Sequence, residues 1–90
     1  QIPLAGAAFK GDTEMGRLLL AGGADPNAAS PDGKTGLMFA AMFDRVEFIE
    51  LLLEYGADAS LQTADGMTAL RLAQTMGAPN AAERLSREAN

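Results

Sequence analysis

The sequence predicts an all-α solenoid in which three helix-turn-helix units, approximately residues 1–31, 32–64 and 65–90, stack into a single domain. Three observations predict it. Residues recur at a spacing of 33 without an insertion: Leu18, Leu19 and Leu20 return as Leu51, Leu52 and Leu53, Gly23-Ala24-Asp25 as Gly56-Ala57-Asp58, and Asp32-Gly33 as Asp65-Gly66. Leu4 returns twice, as Leu37 and Leu70, and Ala7 as Ala40 and Ala73, which counts three copies. Each copy reads as two short apolar stretches and a polar connector, and only the last stretch carries the charged outer side that the end of a stack must turn to water.

The elements follow in order. The first unit opens at Ile2-Pro3-Leu4 without a connector, and Ile2 is a poor helix cap, so the expectation is that the first turn frays or that the natural chain extends further back. Gly23 and Gly56 stand where a helix stops on a left-handed residue. The connectors Asn27 to Gly33 and Ser60 to Gly66 close with Asp-Gly, suited to a tight turn. Thr35 caps a short helix beginning at Gly36. In the next helix Val46, Phe48, Ile49, Leu51, Leu52 and Leu53 are too evenly apolar for one buried face, so it is expected between two neighbours. Pro79 opens the last helix, with Ala81, Ala82, Leu85 and Ala89 inward and Glu83, Arg84, Ser86, Arg87 and Glu88 outward.

Composition excludes several functions. With no Cys and no His in 90 residues, thiolate or imidazole metal sites, Cys nucleophiles and His-dependent triads are absent. Seven basic against twelve acidic residues give a net charge of −5, which repels phosphate backbones and anionic lipid, so neither nucleic acid nor membrane is an expected partner. The longest apolar stretches, such as Gly36 to Phe43, are far too short to span a bilayer, and no basic-then-apolar leader opens the sequence. The absence of Cys fits any redox compartment; the cytoplasm is the expected location.

Two motifs yield to simpler readings. Ala28 to Thr35 formally fits a phosphate-loop pattern, but Pro31 removes a donor and Asp32 places a carboxylate in the cradle. Asp25, Asp58, Asp32 and Asp65 could form a calcium ladder only if they converged; units stacked about 10 Å apart keep them separate, which leaves turn and cap duty. Neither a carboxylate pair for glycoside hydrolysis nor a Ser with a base emerges, so no enzyme and no cofactor are expected.

At this point the chain resembles the ankyrin repeat family along essentially its whole length. Asp32-Gly33-Lys34-Thr35-Gly36-Leu37, Ala40-Ala41, Glu47 to Leu53 and Gly56-Ala57-Asp58 carry the likeness. The family's Thr-Pro-Leu-His signature stands here as Ile2-Pro3-Leu4-Ala5, Thr35-Gly36-Leu37-Met38 and Thr68-Ala69-Leu70-Arg71, so the His that bonds back to the finger is missing from all three. The resemblance implies β-turn fingers between helix pairs, a right-handed stack and a polar C-terminal capping helix. It also implies a glycine between paired helices, present as Gly11 and Gly77 but replaced by Asp44. A left-handed turn costs a non-glycine about 1 kcal/mol, so Asp44→Gly is expected to stabilise the fold modestly.

Phe9-Lys10, Met42-Phe43 and Thr75-Met76 share one phase of the repeat. The resemblance puts them on the concave side near the ends of the first helices, with Pro31, Asp32, Lys34, Asp65 and Met67 on the fingers. The implied function is a non-enzymatic, monomeric protein-interaction module that holds another protein by Phe9, Lys10, Met42, Phe43 and Met76 and by those finger residues. The competing reading of the column is that Phe43 and Met76 fill gaps between stacked helices. The competing role for the whole chain is a structural unit that stacks on further repeats or on itself.

Overall fold

A computed structural model describes residues 3–89. Six helices form three antiparallel pairs: α1 (Pro3–Lys10) with α2 (Thr13–Ala21), α3 (Gly36–Met42) with α4 (Val46–Glu54), and α5 (Ala69–Thr75) with α6 (Pro79–Ser86), followed by a 3₁₀ turn, Arg87–Ala89. The first helices pack in a row, α1 on α3 on α5, and the second helices in another, α2 on α4 on α6. Among the described residues the only extended pairing is an isolated antiparallel bridge between Ala29 and Thr35 at the base of the first finger.

Residue size decides which row does what. The first helices bury mostly small residues, Ala7, Ala8, Ala40, Ala41, Ala69 and Ala73, with Leu4, Leu37 and Met38 among them, so their backbones approach closely. The bulk of the core comes from α4, whose Phe48, Ile49, Leu51 and Leu52 are fully or almost fully buried between α2 and α6. That agrees with the sandwiched helix expected from its even apolarity. Gly16 of α2 is the socket for Phe48: a Cβ there would stand 2.6 Å from the ring.

Local polar groups close the helix ends. Thr35 Oγ1 accepts from the Met38 amide at 3.3 Å, as its capping position predicts, and Thr68 Oγ1 does the same for Arg71 at 3.2 Å. Asp12 caps α2 through the Met15 amide at 3.1 Å. At the first turn of α1, Leu4 is buried and lies beside Gly36. Ile2, on which the expectation of a frayed first turn rested, and the side chain of Ala89, expected to face inward, lie outside the described residues.

Two expectations need correction. Asp44 does take the left-handed conformation of its counterparts Gly11 and Gly77, at φ 59° against 73° and 69°. However, its carboxylate accepts from the Ala81 amide at 2.7 Å and from Asn80 Nδ2 at 2.9 Å. The N-cap of α6 is Ala78, which has no side chain to offer, so Asp44 caps that helix from the neighbouring unit. Replacing it by Gly therefore removes a cap as well as relieving strain. Arg84, expected on the outside, is drawn in: its guanidinium donates to Glu50 at 2.7 Å and Glu88 at 2.9 Å. This pairing pulls the Glu50 carboxyl below its ordinary range. At the same phase of the middle unit stands the buried Leu51, so an ion pair with α4 takes the place of an apolar contact.

Candidate functional site

The first helices end on one side of the stack, and their last residues carry the apolar column. Phe43 is the C-cap of α3 and Met76 the C-cap of α5, while Phe9 lies in the last turn of α1. Phe9 and Met76 are each 50% exposed and Phe43 37%. A side chain that merely plugged a gap between helices would be covered by its neighbours; these three keep a third to a half of their surface in water. The Phe9 and Phe43 rings meet edge to face with centroids 4.7 Å apart and planes at 81°, a favourable aromatic geometry. Lys10 beside them is exposed, and Met42 is half-buried.

The fingers make the second part. In the first, the Ser30 amide donates to the Lys34 carbonyl at 2.9 Å and the Gly33 amide to the Ser30 carbonyl at 2.8 Å; in the second, Thr63 pairs with Met67 and Gly66 with Thr63 at 2.9 Å each. The Ala64 amide donates to the Asp32 carbonyl at 3.1 Å and ties one finger to the next. Gly33 permits this approach, because it has φ 86° and a Cβ there would sit 3.1 Å from the Thr63 Cα. Between the fingers opens a groove of about 270 Å³ lined by Asp32, Lys34, Thr63, Ala64, Asp65, Met67 and Leu72. Pro31 is exposed on the first finger.

Electrostatics in the groove are largely local. Lys34 Nζ donates to Asp32 Oδ2 at 2.8 Å, and Ser30 Oγ donates to the same carboxylate. The Lys34 ammonium, then the Ser30 hydroxyl, hold the Asp32 carboxyl well below the ordinary aspartate range, and the carboxylate raises Lys34 in return. Thr63 Oγ1 donates to Asp65 and accepts from the Met67 amide at 3.0 Å. These internal bonds brace fingers that lack the bracing His.

Of the ten residues expected to bind, four (Asp32, Lys34, Asp65 and Met67) line one groove and two (Phe9 and Phe43) touch each other. Leu72, which sequence reasoning missed, joins the two parts: it walls the finger groove, and Met76 follows it one helical turn later on the same face. The available signal was that four-residue step. Phe9 and Phe43, which the sequence already set in one column, stand 34 residues apart, one more than the period, and their rings meet across neighbouring units.

The motifs set aside above have visible duties. Lys34 is paired with Asp32, and the Gly33 and Lys34 amides donate inside the loop, so the formal phosphate pattern presents no open cradle. Asp25 accepts from the Asn27 amide and Asp58 from the Ser60 amide, both at 2.9 Å, which is turn duty. Among the described residues no three acidic side chains gather as cation ligands, and no helix is long and apolar enough to cross a membrane. A larger hollow of about 530 Å³ lies where α4 begins, lined by Gly11, Asp44, Arg45, Val46, Glu47, Phe48 and Asn80. Two of its polar groups serve the fold: Asp44 caps α6, and Arg45 Nε donates to the Phe9 carbonyl at 3.2 Å.

Stacked helix pairs joined by hydrogen-bonded turn fingers define a class of repeat protein. The sequence matches the family model for ankyrin repeats, as three copies, over residues 4–90, and the chain belongs to that family. No curated protein matches it significantly. Ankyrin repeats are generally protein–protein interaction modules and typically not enzymes.

Proposed function

We propose that this protein is a monomeric binding module that holds a partner polypeptide on the column of Phe9, Met42, Phe43 and Met76 and in the finger groove. The observation that carries this reading is the exposed Phe9–Phe43 pair, rings in edge-to-face contact, with Met76 beyond it. Apolar and aromatic surface left in water beside small-residue helices is recovered when a partner covers it, and Met adapts its shape to what it meets. Lys10 and the neutralised Asp32–Lys34 pair form a polar rim. Affinity then comes from the column and specificity from the finger tips Pro31, Asp32, Lys34, Asp65 and Met67, with salt having a modest effect.

The double variant Phe43→Ala, Met76→Ala tests this directly. Proteins captured by the wild type and by the variant are compared by mass spectrometry, and the affinity of the captured partner is then measured. The variant is expected to lose more than about 2 kcal/mol of binding while its melting temperature falls little. An undiminished affinity with a much less stable fold would assign the two side chains to packing instead.

A further inference from the structure

Sulfur in this sequence is methionine alone: five Met stand against no Cys, with neither His nor Trp beside them. Peroxides attack thiolates and thioethers, so the methionines are the side chains on which such an oxidant acts here. Their placement is uneven. Met42 ends α3, Met76 caps α5 and Met67 lines the finger groove, so three of the five belong to the candidate site. Met76 is 50% exposed, and Met42 and Met67 are half-buried. Met38 is buried, and its sulfur accepts from the Thr35 amide at 3.5 Å. Met15 is 46% exposed but belongs to α2, which contributes nothing to the column or the groove. The repeat shows what the fold tolerates at the three candidate places. The phase of Met76 holds Lys10 and Phe43, that of Met67 holds Lys34, and that of Met42 holds Phe9 and Thr75. Each phase accepts a polar residue in a sister unit, so stacking requires neither a sulfur nor an apolar side chain there.

We propose that Met76, backed by Met67 and Met42, is an oxidation site through which a peroxide releases the bound partner while the fold stays intact. This rests on the binding surface proposed above and adds its regulation. The peroxide O–O bond breaks as one oxygen joins the Met76 sulfur; the thioether is oxidised by two electrons to the sulfoxide, and hydrogen peroxide is reduced to water. The product is polar, and its oxygen must be stripped of water when a partner covers it. A column that holds its partner by apolar contact then holds it about tenfold or more weakly. In the free chain the same oxygen stays in water, at a phase where the exposed Lys10 is accommodated, so stability is left almost unchanged. A thiol-dependent sulfoxide reductase reverses the step: the oxygen leaves as water and two reductase thiols close into a disulfide.

The test treats the full chain with graded hydrogen peroxide and maps each methionine by mass spectrometry. Met76 and Met15 are expected to gain an oxygen first, Met42 and Met67 later and Met38 last. At the dose that oxidises Met76 and Met15 alone, the melting temperature is expected to hold, while the affinity for the partner captured by the untreated chain falls about tenfold or more and returns after reductase treatment. Met15→Leu is expected to keep that loss. Met76→Leu, whatever its own affinity, is expected to lose little further at the same dose. Oxidation of Met38 in step with Met76, or a melting temperature that falls as Met76 is oxidised, would overturn the proposal by tracing the effect to the fold. If the Phe43→Ala, Met76→Ala variant loses the partner while the oxidised wild type keeps it, the oxidation site is refuted and the binding surface stands. If both keep it, both are refuted.

Discussion

Replacing Asp44 by Gly opposes two effects whose sizes the structure supplies. Asp44 sits at φ 59° between α3 and α4, and a left-handed non-glycine residue costs about 1 kcal/mol that glycine would recover. Against this stand the carboxylate's bonds to the Ala81 amide at 2.7 Å and to Asn80 at 2.9 Å, which cap the eight-residue α6. Losing a helix cap costs about 1 kcal/mol, and losing a negative charge at a helix N-terminus costs about another 0.5 kcal/mol. The net expectation is a loss of about 0.5 kcal/mol, or a melting temperature lower by about 3 °C in a domain of this size. Asp44→Asn keeps an acceptor and tolerates the left-handed turn, so it should stay closer to wild type; Asp44→Ala loses the cap and the charge without gaining a relaxed backbone and should lose about 1.5 kcal/mol. Thermal and urea unfolding followed by far-ultraviolet circular dichroism measures all three. A glycine variant that melts several degrees above wild type would show that Asp44 contributes no cap and that strain alone governs the site.

Two further outcomes follow from the same contacts. Gly16→Ala gains roughly 1 kcal/mol of helix propensity but drives a methyl to 2.6 Å from the buried Phe48 ring, so overpacking of about 1–3 kcal/mol should win and the urea midpoint should fall; a rise would mean that the ring moves freely. The carboxyls of Asp32, Glu50 and Asp58 are all depressed in the folded chain, by Lys34, Arg84 and Ser60 first in each case. Their stabilisation is therefore fully present above the ordinary carboxylate range and is lost as pH falls through their lowered values. Stability should stay level from neutral pH down to about pH 5 and decline below it, and Lys34→Ala should move the Asp32 titration seen by NMR back upward. An Asp32 titration unchanged by that substitution would refute the pairing.

Periodicity made the architecture legible, because each unit repeats its leucines, capping threonines and turn glycines at one interval. The same regularity hid the exceptions. The capping role of Asp44 spans 37 residues and depends on Ala78 being unable to cap its own helix, so a comparison of equivalent positions registers only a missing glycine. Arg84 occupies a leucine phase, and Glu50 across the interface, with Glu88 one turn along its own side, holds it inward. The candidate column was legible as a set of apolar residues at shared phases. Its continuity with the fingers through Leu72 was not, since a half-buried leucine in a short helix looks like core until the finger beside it is in place.

Hydroxyl-radical footprinting of the chain, free and bound to a captured partner, tests the binding surface most directly. The account predicts that Phe9, Phe43, Met67 and Met76 lose reactivity on binding while Met15 and Leu18 keep theirs. Protection confined to Met15 and Leu18, with the aromatic pair still reactive, would contradict it.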